Sequence, residues 1–449
     1  MKGQIAMKYM KVKAAATALF MAVLFPAGAI SAGALAYTKG DANGSGSIDV
    51  TDISLTAAHI RGIRPLTEKG IAAADVNGDG STDVTDISLT AAHIKGIKAI
   101  NDPDRELIEK IGRMTLHQKI CQMCIIRPEG QLGDDHIMYA GEDTRRMLGE
   151  YPVGGVIFFG ENMESLWQTE KLIDDFNGYN TEISDIPLFI SVDEEGGTVA
   201  RCANKLGTTS FYPMYEYRWQ GTDGAYSNAK TIAQDISGIG FDLDFAPVAD
   251  TWSNPYNTVI GRRAYSDDFG ETAELVASAV KGFHDGGVAC TLKHFPGHGD
   301  TAEDSHLGTA ISYRTLEELD GNEYRAFRSG IAAGADMVMV GHINMANVDN
   351  MPASLSETMI NGELRGKLGY DGVVITDALE MKAVSDKYTS DEAAVRVVEA
   401  GGDILLMPED LSAAVSGLEN AVKSGEISED RIDESVMRIL RVKRNRGLI

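Results

Sequence analysis

The sequence predicts an α/β protein in which eight β/α units close into a TIM-like (β/α)8 barrel, preceded by a small all-α calcium-binding module. Two observations lead to this prediction. In residues 105–449, eight short apolar runs alternate with helical stretches such as "ETAELVASAVKGFHDGG", which is typical of a parallel sheet. Ahead of them, "VTDISLTAAHIRGI" at 50–63 recurs as "VTDISLTAAHIKGI" at 84–97, which indicates a duplicated unit.

Composition supports a globular protein and excludes some partners. The chain has 449 residues, 43% of them hydrophobic, which suffices for two domains or for one large barrel with an appendage. Acidic residues outnumber basic ones by 66 to 41, and the net charge is -25. Because such a surface repels phosphate groups and anionic lipids, we expect no nucleic-acid partner.

Residues 1–36 have the layout of a secretory signal peptide. Lysines at positions 2, 8, 11 and 13 precede the apolar run "AAATALFMAVLFPAGAI", and the small-residue site "ALA" at 34–36 follows it. A membrane anchor is the alternative, but the run is shorter than the roughly 20 residues of a span and contains Pro26. We therefore expect a secreted mature chain that begins near Tyr37 and has no membrane span.

The four cysteines are interpreted as structural thiols. Cys121 and Cys124 have the C-x-x-C spacing of a redox or zinc pair, but no second pair lies at zinc-ribbon spacing. The segment "KICQMCII" instead indicates a helix end that runs into a buried strand. Free cysteine is commonly buried, which also suits Cys202 and Cys290.

Each copy of the repeat follows a polar loop that fits a calcium ion. The loops "DANGSGSIDVTD" (41–52) and "DVNGDGSTDVTD" (75–86) place oxygen side chains at loop positions 1, 3, 5, 9 and 12, glycine at 6 and a backbone carbonyl at 7. The predicted ligands are Asp41, Asn43, Ser45, Ser47, Asp49 and Asp52 in the first loop, and Asp75, Asn77, Asp79, Ser81, Asp83 and Asp86 in the second.

The loops depart from an ordinary EF-hand. Position 12 is aspartate instead of glutamate, and the sequence predicts no amphipathic helix before either loop. Ser45 stands where the second loop has Asp79, so we expect the first site to be the weaker one. Two solvated turns are the alternative, but they would not explain why loop and helix repeat together.

These paired loop-helix units resemble a type I dockerin module over residues 38–100. The resemblance implies two structural calcium ions, folding on calcium binding, and docking of exposed helix faces onto a cohesin domain of a scaffolding protein. The near-identity of the halves suggests that either helix can lead this contact. His59 and His93 occupy equivalent positions and are assigned to this surface or its edge, not to a metal site.

The chemistry of the barrel is expected at the carboxyl ends of its strands. The apolar runs are "QMCII", "VIFF", "LFISV", "LDFAPV", "ACTLK", "DMVMV", "VVIT" and "DILLM". Polar residues follow five of them, namely Asp193, Asp250, Lys293 with His294, His342 and Asp377. A single aspartate there is often a cap or turn residue, but five positions in register indicate an active site.

The stretch "KHFPGHGDTAEDSH" at 293–306 contains three of the nine histidines. His294 and His298 are four residues apart, as metal ligands on a helix are, but Pro296 and Gly297 between them disfavour a helix and therefore zinc. We predict a strand end that opens into a glycine-rich loop carrying Asp304 and His306.

Two groups in the chain suit double-displacement glycoside hydrolysis. Asp304 is two residues from His306, so its carboxylate can hold the imidazole and stabilise the imidazolium, as in an acid/base dyad. Asp377 in "GVVITDALEM" lies at the end of an apolar strand, where a nucleophilic carboxylate is held rigidly.

These motifs together resemble the β-N-acetylglucosaminidases of glycoside hydrolase family 3. The pieces are "DEEGGTVAR", "VIGRRAYS", "KHFPGHGDTAEDSH", "GVVITDALEM" and "SVMRILRVKRNRGL", and the resemblance covers about 105–449. It implies that Asp377 is the nucleophile, His306 the acid/base and Asp304 its partner. It further implies that the terminal sugar binds Asp193, Arg201, Arg263, Lys293 and His294, with Arg262 the alternative to Arg263; His298, Asp250 and His342 are support.

The resemblance also implies a substrate, and three readings remain open. A proton donor in the histidine loop, without a second α/β domain, favours N-acetylhexosaminides over the glucosides of larger relatives. The first reading is a secreted, scaffold-docked, retaining exo-β-N-acetylglucosaminidase without a catalytic cofactor, and its alternative within the family is a β-glucosidase-type hydrolase. A phosphorylase is the second, because histidine does not repel phosphate, and a sugar-binding protein with a dead site is the third. The expected division is 1–36 signal peptide, 37–100 dockerin and 101–449 catalytic domain.

Overall fold

The computed structural model describes residues 37–133, 136–301 and 310–449. The predicted signal peptide, residues 1–36, lies outside these ranges. Within them, one sheet contains eight strands: β1 (Cys124–Ile126), β2 (Gly155–Ile157), β3 (Phe189–Val192), β4 (Leu243–Asp244), β5 (Ala289–Phe295), β6 (Met337–Val340), β7 (Val373–Thr376) and β8 (Leu405–Leu406).

All neighbouring strands pair in parallel, and the sheet is a nearly closed barrel. The order from β1 to β7 follows the chain, β8 pairs with β1, and a parallel bridge between Ile375 and Ile404 joins the β7 and β8 segments. Each of the eight predicted apolar runs contains one strand, which confirms the α/β barrel prediction. The runs are mostly apolar because the strands are buried on both faces.

Helices surround the barrel. The longest are Leu166–Ile183, Gly221–Ser237, Phe269–Gly286, Leu411–Ser424 and Glu429–Asn445; the others are Arg105–Ile111, Leu116–Gln122, Pro128–Leu132, Glu142–Glu150, Arg201–Leu206, Leu316–Gly321, Tyr324–Ala332, Lys382–Ser385 and Ser390–Ala400, with a π-helix at Thr358–Lys367. The helix Phe269–Gly286 shows why they form: Asp268 caps its first backbone N–H groups, and Gly287 ends it at φ +90°. None of the helices in the described ranges is long and apolar enough to cross a membrane.

The helix Glu429–Asn445, here called the capping helix, covers the amino-terminal end of the barrel. Its Lys443 donates to the carbonyls of Gly154 at 2.9 Å and Pro187 at 2.6 Å, which lie just before β2 and β3. Its Arg438 contacts Asp371 and Asp403, just before β7 and β8, at 3.1 and 3.2 Å. The amino end is therefore closed, and the open end is the carboxyl end.

Residues 37–100 contain three helices, Val50–Ile60, Glu68–Ala74 and Val84–Ile94. The seven-residue helix Glu68–Ala74 directly precedes the second loop, where the sequence predicts no amphipathic helix. Its seven residues gave too short a pattern to show periodicity, and the N-cap Thr67, which accepts from Gly70 N–H, was the signal that could have found it.

The two halves of this segment match in detail. The equivalent aspartates Asp49 and Asp83 form the same capping box, and both adopt φ -139°. His59 accepts a hydrogen bond at Nδ1 from Leu66 N–H, and His93 does so from Ile100 N–H, both at 3.1 Å. Each histidine thus fixes the backbone of the segment that follows its helix.

The segment 101–104 is tied to the capping helix. Asp104 stands at the N-cap of the helix Arg105–Ile111, but its side chain makes no capping hydrogen bond. Its carboxylate instead contacts Arg441 at 2.6 Å and Arg444 at 2.8 Å. Charge pairing with two guanidinium groups replaces the weaker backbone contact.

The four cysteine thiols, all in described ranges, are buried and form no disulfide. Cys121 and Cys124 lie in and just after the helix that leads into β1, as the sequence indicates. Burial raises the pKa of Cys124 to about 12, so this thiol is protonated at neutral pH. The arrangement agrees with structural thiols.

Candidate active site

A network of buried charges lies where β3 and β5 end. Lys293, in β5, donates from Nζ to Asp193 Oδ1 at 2.6 Å and to Glu195 Oε1 at 2.7 Å. Lys293 is 3% exposed and Glu195 5% exposed. Burial alone would lower the pKa of Lys293, but the carboxylates of Asp193 and Glu195 raise it, so the side chain is a fixed ammonium ion.

Glu195 joins this lysine to Arg263. Arg263 contacts Glu195 through two parallel hydrogen bonds, Nε to Oε2 at 2.8 Å and Nη2 to Oε1 at 2.7 Å. Although burial opposes ionisation, the charges of Arg263 and Lys293 hold the pKa of Glu195 far below its usual value. The neighbouring Arg262 is exposed and pairs with Glu216 instead, so Arg263 is the arginine that faces the barrel.

Asp250, after β4, contacts His294 in β5 and His298 in the loop that follows β5. Its carboxylate contacts His294 Nδ1 at 2.7 Å and accepts the backbone N–H of His298 at 2.6 Å. Burial would raise the pKa of Asp250, but the two imidazoles lower it, so it is a carboxylate. Burial, with the nearby His294, lowers the pKa of His298, which also contacts Thr301 Oγ1 at 2.7 Å.

Asp377 follows β7 at the same end of the barrel. Its backbone N–H donates to Val340 O, at the end of β6, at 2.9 Å. Its Oδ1 accepts the N–H of Ala378 at 2.8 Å, and the carbonyl of Ala378 is in turn held by His342 Nε2 at 2.9 Å. Asp377 also lies near enough to His298 for its charge to act on that imidazole. The carboxylate therefore has a fixed place beside the histidines.

Arg201 has a buried hydrogen-bond donor without a partner among the described residues. Its guanidinium lies 5.7 Å from the centre of the Phe159 ring, after β2. Its Nε atom is buried and makes no hydrogen bond to any residue that the structure describes. Because an unpaired buried donor is costly, this N–H suits an acceptor oxygen supplied by a ligand.

The structure thus brings together Asp193, Arg263, Lys293, His294 and Asp377, with Arg201 close to the end of β2. Asp304 and His306 lie outside the described residues. His294 and His298 do not share a helix. The Nδ1 atom of His294 contacts Asp250, and that of His298 contacts Thr301. Neither histidine belongs to a three-residue metal-binding group within the described ranges.

Glu195 is the residue that sequence reasoning missed. It stands two residues after Asp193 in the sequence, and in the structure its carboxylate pairs with both Arg263 and Lys293. The signal was available in "DEEGG", because consecutive carboxylates at the end of a buried strand need cationic partners.

The candidate calcium loops fold around their first and last carboxylates. Asp41 accepts the N–H groups of Ser45 and Gly46 at 3.0 and 2.7 Å, and Asp75 accepts that of Gly80 at 2.9 Å. The glycines at loop position 6 have φ +84° and +85°, which only glycine adopts easily. Burial, together with the charges of Asp41 and Asp49, raises the pKa of Asp52 despite two backbone hydrogen bonds. This uncompensated negative charge fits a bound cation.

Comparisons with known proteins agree with both parts of the chain. The model of the glycosyl hydrolase family 3 N-terminal domain matches residues 115–442, and that of the dockerin type I domain matches residues 39–95. The solved structure of a glycoside hydrolase family 3 β-N-acetylglucosaminidase from Paenibacillus sp. str. FPU-7 is 41% identical, with a TM-score of 0.70, over 75% of this chain and 63% of that one.

Two curated relatives are similar at the sequence level. The β-hexosaminidase LpqI of Mycobacterium tuberculosis is 32% identical over 313 residues, which are 67% of this chain and 78% of the relative. The β-hexosaminidase A of Pseudoalteromonas piscicida is 32% identical over 328 residues. The chain spans 55% of the length of that second relative.

A parallel barrel with a buried polar network at its carboxyl end, matched in this way, defines a glycoside hydrolase. The chain belongs to glycosyl hydrolase family 3, and it also contains a match to the dockerin type I domain.

Proposed function

We propose that this protein is a secreted, scaffold-docked, retaining exo-β-N-acetylglucosaminidase. In the first step, the Asp377 carboxylate attacks the anomeric carbon of a terminal β-linked N-acetylglucosamine while His306 protonates the leaving oxygen. In the second step, His306 takes a proton from water while the water oxygen bonds to the anomeric carbon and displaces the Asp377 carboxylate, so the configuration is retained. Asp304 stabilises the imidazolium form of His306.

The remaining site residues bind the terminal sugar. Asp193 and Lys293 form a donor and acceptor pair for sugar hydroxyl groups, while Arg263, Arg201 and His294 supply further donors. The observation that carries the proposal is the fixed Lys293–Asp193–Glu195–Arg263 network at the barrel end that also holds Asp377. Such a rigid set binds one sugar ring in one orientation, as an exo-acting enzyme requires.

The acetamido sugar is proposed from the relatives. The matched proteins are named β-hexosaminidases, and the Paenibacillus structure is named a β-N-acetylglucosaminidase. Because this chain is much shorter than some of these relatives, its substrate is proposed and is tested directly by the experiment below.

The front segment, residues 37–100, is proposed to anchor the enzyme, with 101–449 as the catalytic domain. The twelve loop residues predicted as ligands would hold two calcium ions, whose positive charge would balance the negative charge of the clustered aspartates. Exposed apolar side chains occur in equivalent pairs: Val50 and Val84 are 67% and 68% exposed, and Ile63 and Ile97 are 66% and 74% exposed. Such paired surfaces suit a cohesin partner that accepts either half.

The test is a set of initial rates for the mature chain, residues 37–449. The substrates are p-nitrophenyl β-N-acetylglucosaminide and β-glucoside, each with and without phosphate. We expect a strong preference for the acetamido sugar in plain buffer, and a loss of roughly 10³-fold in kcat for Asp377→Asn, because the amide cannot act as the nucleophile.

Other outcomes would contradict the proposal. Turnover that depends on phosphate would identify a phosphorylase. No cleavage of either sugar, with sugar binding retained, would identify a binding protein. Full activity in Asp377→Asn would remove that residue from the mechanism, and calcium-independent folding of residues 37–100 would contradict the anchoring role.

A further inference from the structure

Three potential metal ligands meet at the amino-terminal end of the barrel, opposite the active site. His284 is near the end of the helix Phe269–Gly286, Cys290 is the second residue of β5, and Asp336 directly precedes β6. Among the described residues, this is the group of three such side chains whose donor atoms lie within 4.8 Å of one another. The glycosidase mechanism uses none of them.

The donor atoms converge on one point. His284 Nε2 lies 3.1 Å from Asp336 Oδ2 and 3.6 Å from Cys290 Sγ. Ligands bound at about 2.0–2.3 Å to a tetrahedral zinc ion are roughly 3.3–3.6 Å apart. The His284–Asp336 and His284–Cys290 distances are therefore close to those of a zinc site, and all three donor atoms lie within 4.8 Å of one another.

The outer contacts orient the aspartate for this role. Arg446 donates from Nε to Asp336 Oδ1 at 2.8 Å, which leaves Oδ2 facing the histidine and the cysteine. The Cys290 backbone N–H donates to Oδ2 at 3.0 Å and takes one of its lone pairs. Carboxylate ligands of metals are commonly held in this way by further hydrogen bonds.

A second cysteine–histidine pair in the chain lacks this convergence. Cys121 Sγ lies 3.5 Å from His117 Nε2, but the nearby carboxylate of Glu419 contacts the other ring nitrogen, Nδ1, at 2.9 Å. The ligands of this pair point to different places, and a backbone carbonyl, that of Glu150, already contacts Nε2 at 2.8 Å. This pair therefore provides a control for the experiment, since its loss should not affect zinc binding.

We propose that His284, Cys290 and Asp336 bind a zinc ion that fastens the amino-terminal end of the barrel. A thiolate, an imidazole and a carboxylate are the donors that zinc accepts, and water completes the tetrahedron on the side where the His284 side chain is 21% exposed. Binding displaces the thiol proton of Cys290 to solvent and leaves the imidazole neutral, with its proton on Nδ1. The ion joins a helix and two strands.

The experiment measures metal retained by the full mature chain. The protein is loaded with zinc, dialysed in buffer with excess calcium to keep the front loops filled, and analysed for bound zinc. Cobalt is then substituted to look for a thiolate-to-metal absorption band. We expect one ion per chain and a cobalt band in the wild type and in Cys121→Ser, and an affinity at least about 100-fold weaker in Cys290→Ser.

A second variant keeps the test decisive if Cys290→Ser does not fold. His284→Gln changes a partly exposed side chain, and we expect it to lose the metal while hydrolase activity, measured at the opposite end, persists. The proposal is overturned if the wild type retains no zinc, or if zinc and the cobalt band persist in both variants. The cluster is then a hydrogen-bond network in which His284 donates to Asp336.

Discussion

At the scale of single residues, the most informative side chain is Glu195. It is a buried anion that two cations share, so its charge fixes where Lys293 and Arg263 point. Its exposed counterpart is Glu216, which pairs with the neighbouring Arg262 outside the site. Both carboxylates hold an arginine, but only one of the arginines faces the barrel.

This contrast leads to the first residue-scale prediction. Glu195→Gln removes the shared charge, so Lys293 and Arg263 lose their fixed positions, and we expect kcat/KM to fall roughly 10- to 100-fold. Glu216→Gln breaks a surface pair and should leave kcat/KM within about twofold. The measurement is kcat and KM for both variants, with thermal unfolding to confirm that each is folded. Equal behaviour of the two variants would exclude the positioning role of Glu195.

Sequence reasoning selected residues that the structure brings together at one end of the barrel, but not how their side chains pair. Residues at the ends of strands could be recognised because the strands are continuous apolar runs, so the first polar residue marks the carboxyl end. The choice between Arg262 and Arg263, and the role of Glu195, depend on the turn at Gly261–Arg263, which directs one arginine inward. A turn of three residues has no periodicity from which a direction could be predicted.

At the scale of elements, one buried carboxylate joins the capping helix to the barrel and to the π-helix Thr358–Lys367. Asp403, before β8, contacts Arg365 at 2.6 Å, Arg438 at 3.2 Å and Arg431 at 3.4 Å. It also accepts hydrogen bonds from Ser435 Oγ and Val374 N–H. Burial alone would raise the pKa of Asp403, but the three guanidinium groups hold it far below 3.8.

We predict that Asp403→Asn destabilises the barrel by about 3–5 kcal/mol, because three arginines lose the buried carboxylate that they share. The matched control is Asp371→Asn, which also removes a partner of Arg438, but one whose side chain is 54% exposed; we expect less than about 1 kcal/mol. Urea unfolding in saturating calcium measures both.

A lowered native pKa of Asp403 adds stability that is present above the unfolded pKa of 3.8 and lost as pH falls through the native value. The wild type should therefore lose this contribution only in strong acid, and equal effects of the two variants would contradict the argument.

At the scale of the whole molecule, the barrel site and the candidate calcium loops consist of separate sets of residues. The loops at 41–52 and 75–86 contain no residue of the sugar site, and the barrel site contains no loop residue. Removing calcium should therefore abolish helix formation in the front segment and leave hydrolysis by the barrel unchanged.

The two loops should also differ in affinity. Ser45 replaces the carboxylate that the second loop has in Asp79, and the number of charged ligands tunes calcium affinity. We predict that Ser45→Asp tightens the first site on the order of tenfold, and that Asp79→Ser weakens the second by a similar factor. Calorimetric titration of the metal-stripped full chain measures both. Two unchanged affinities would show that position 5 does not contact the ion.

The attachment of the front segment to the amino-terminal end of the barrel has a geometric consequence. Lys69 pairs with Asp430 of the capping helix, Lys39 N–H donates to Asp102 at 2.8 Å, and Asp104 is bound to Arg441 and Arg444. The opening that holds Asp377 lies at the other end of the barrel. If the front segment anchors the chain as proposed, the end of the barrel that holds Asp377 would face away from the anchor, and a substrate could approach it from the free side.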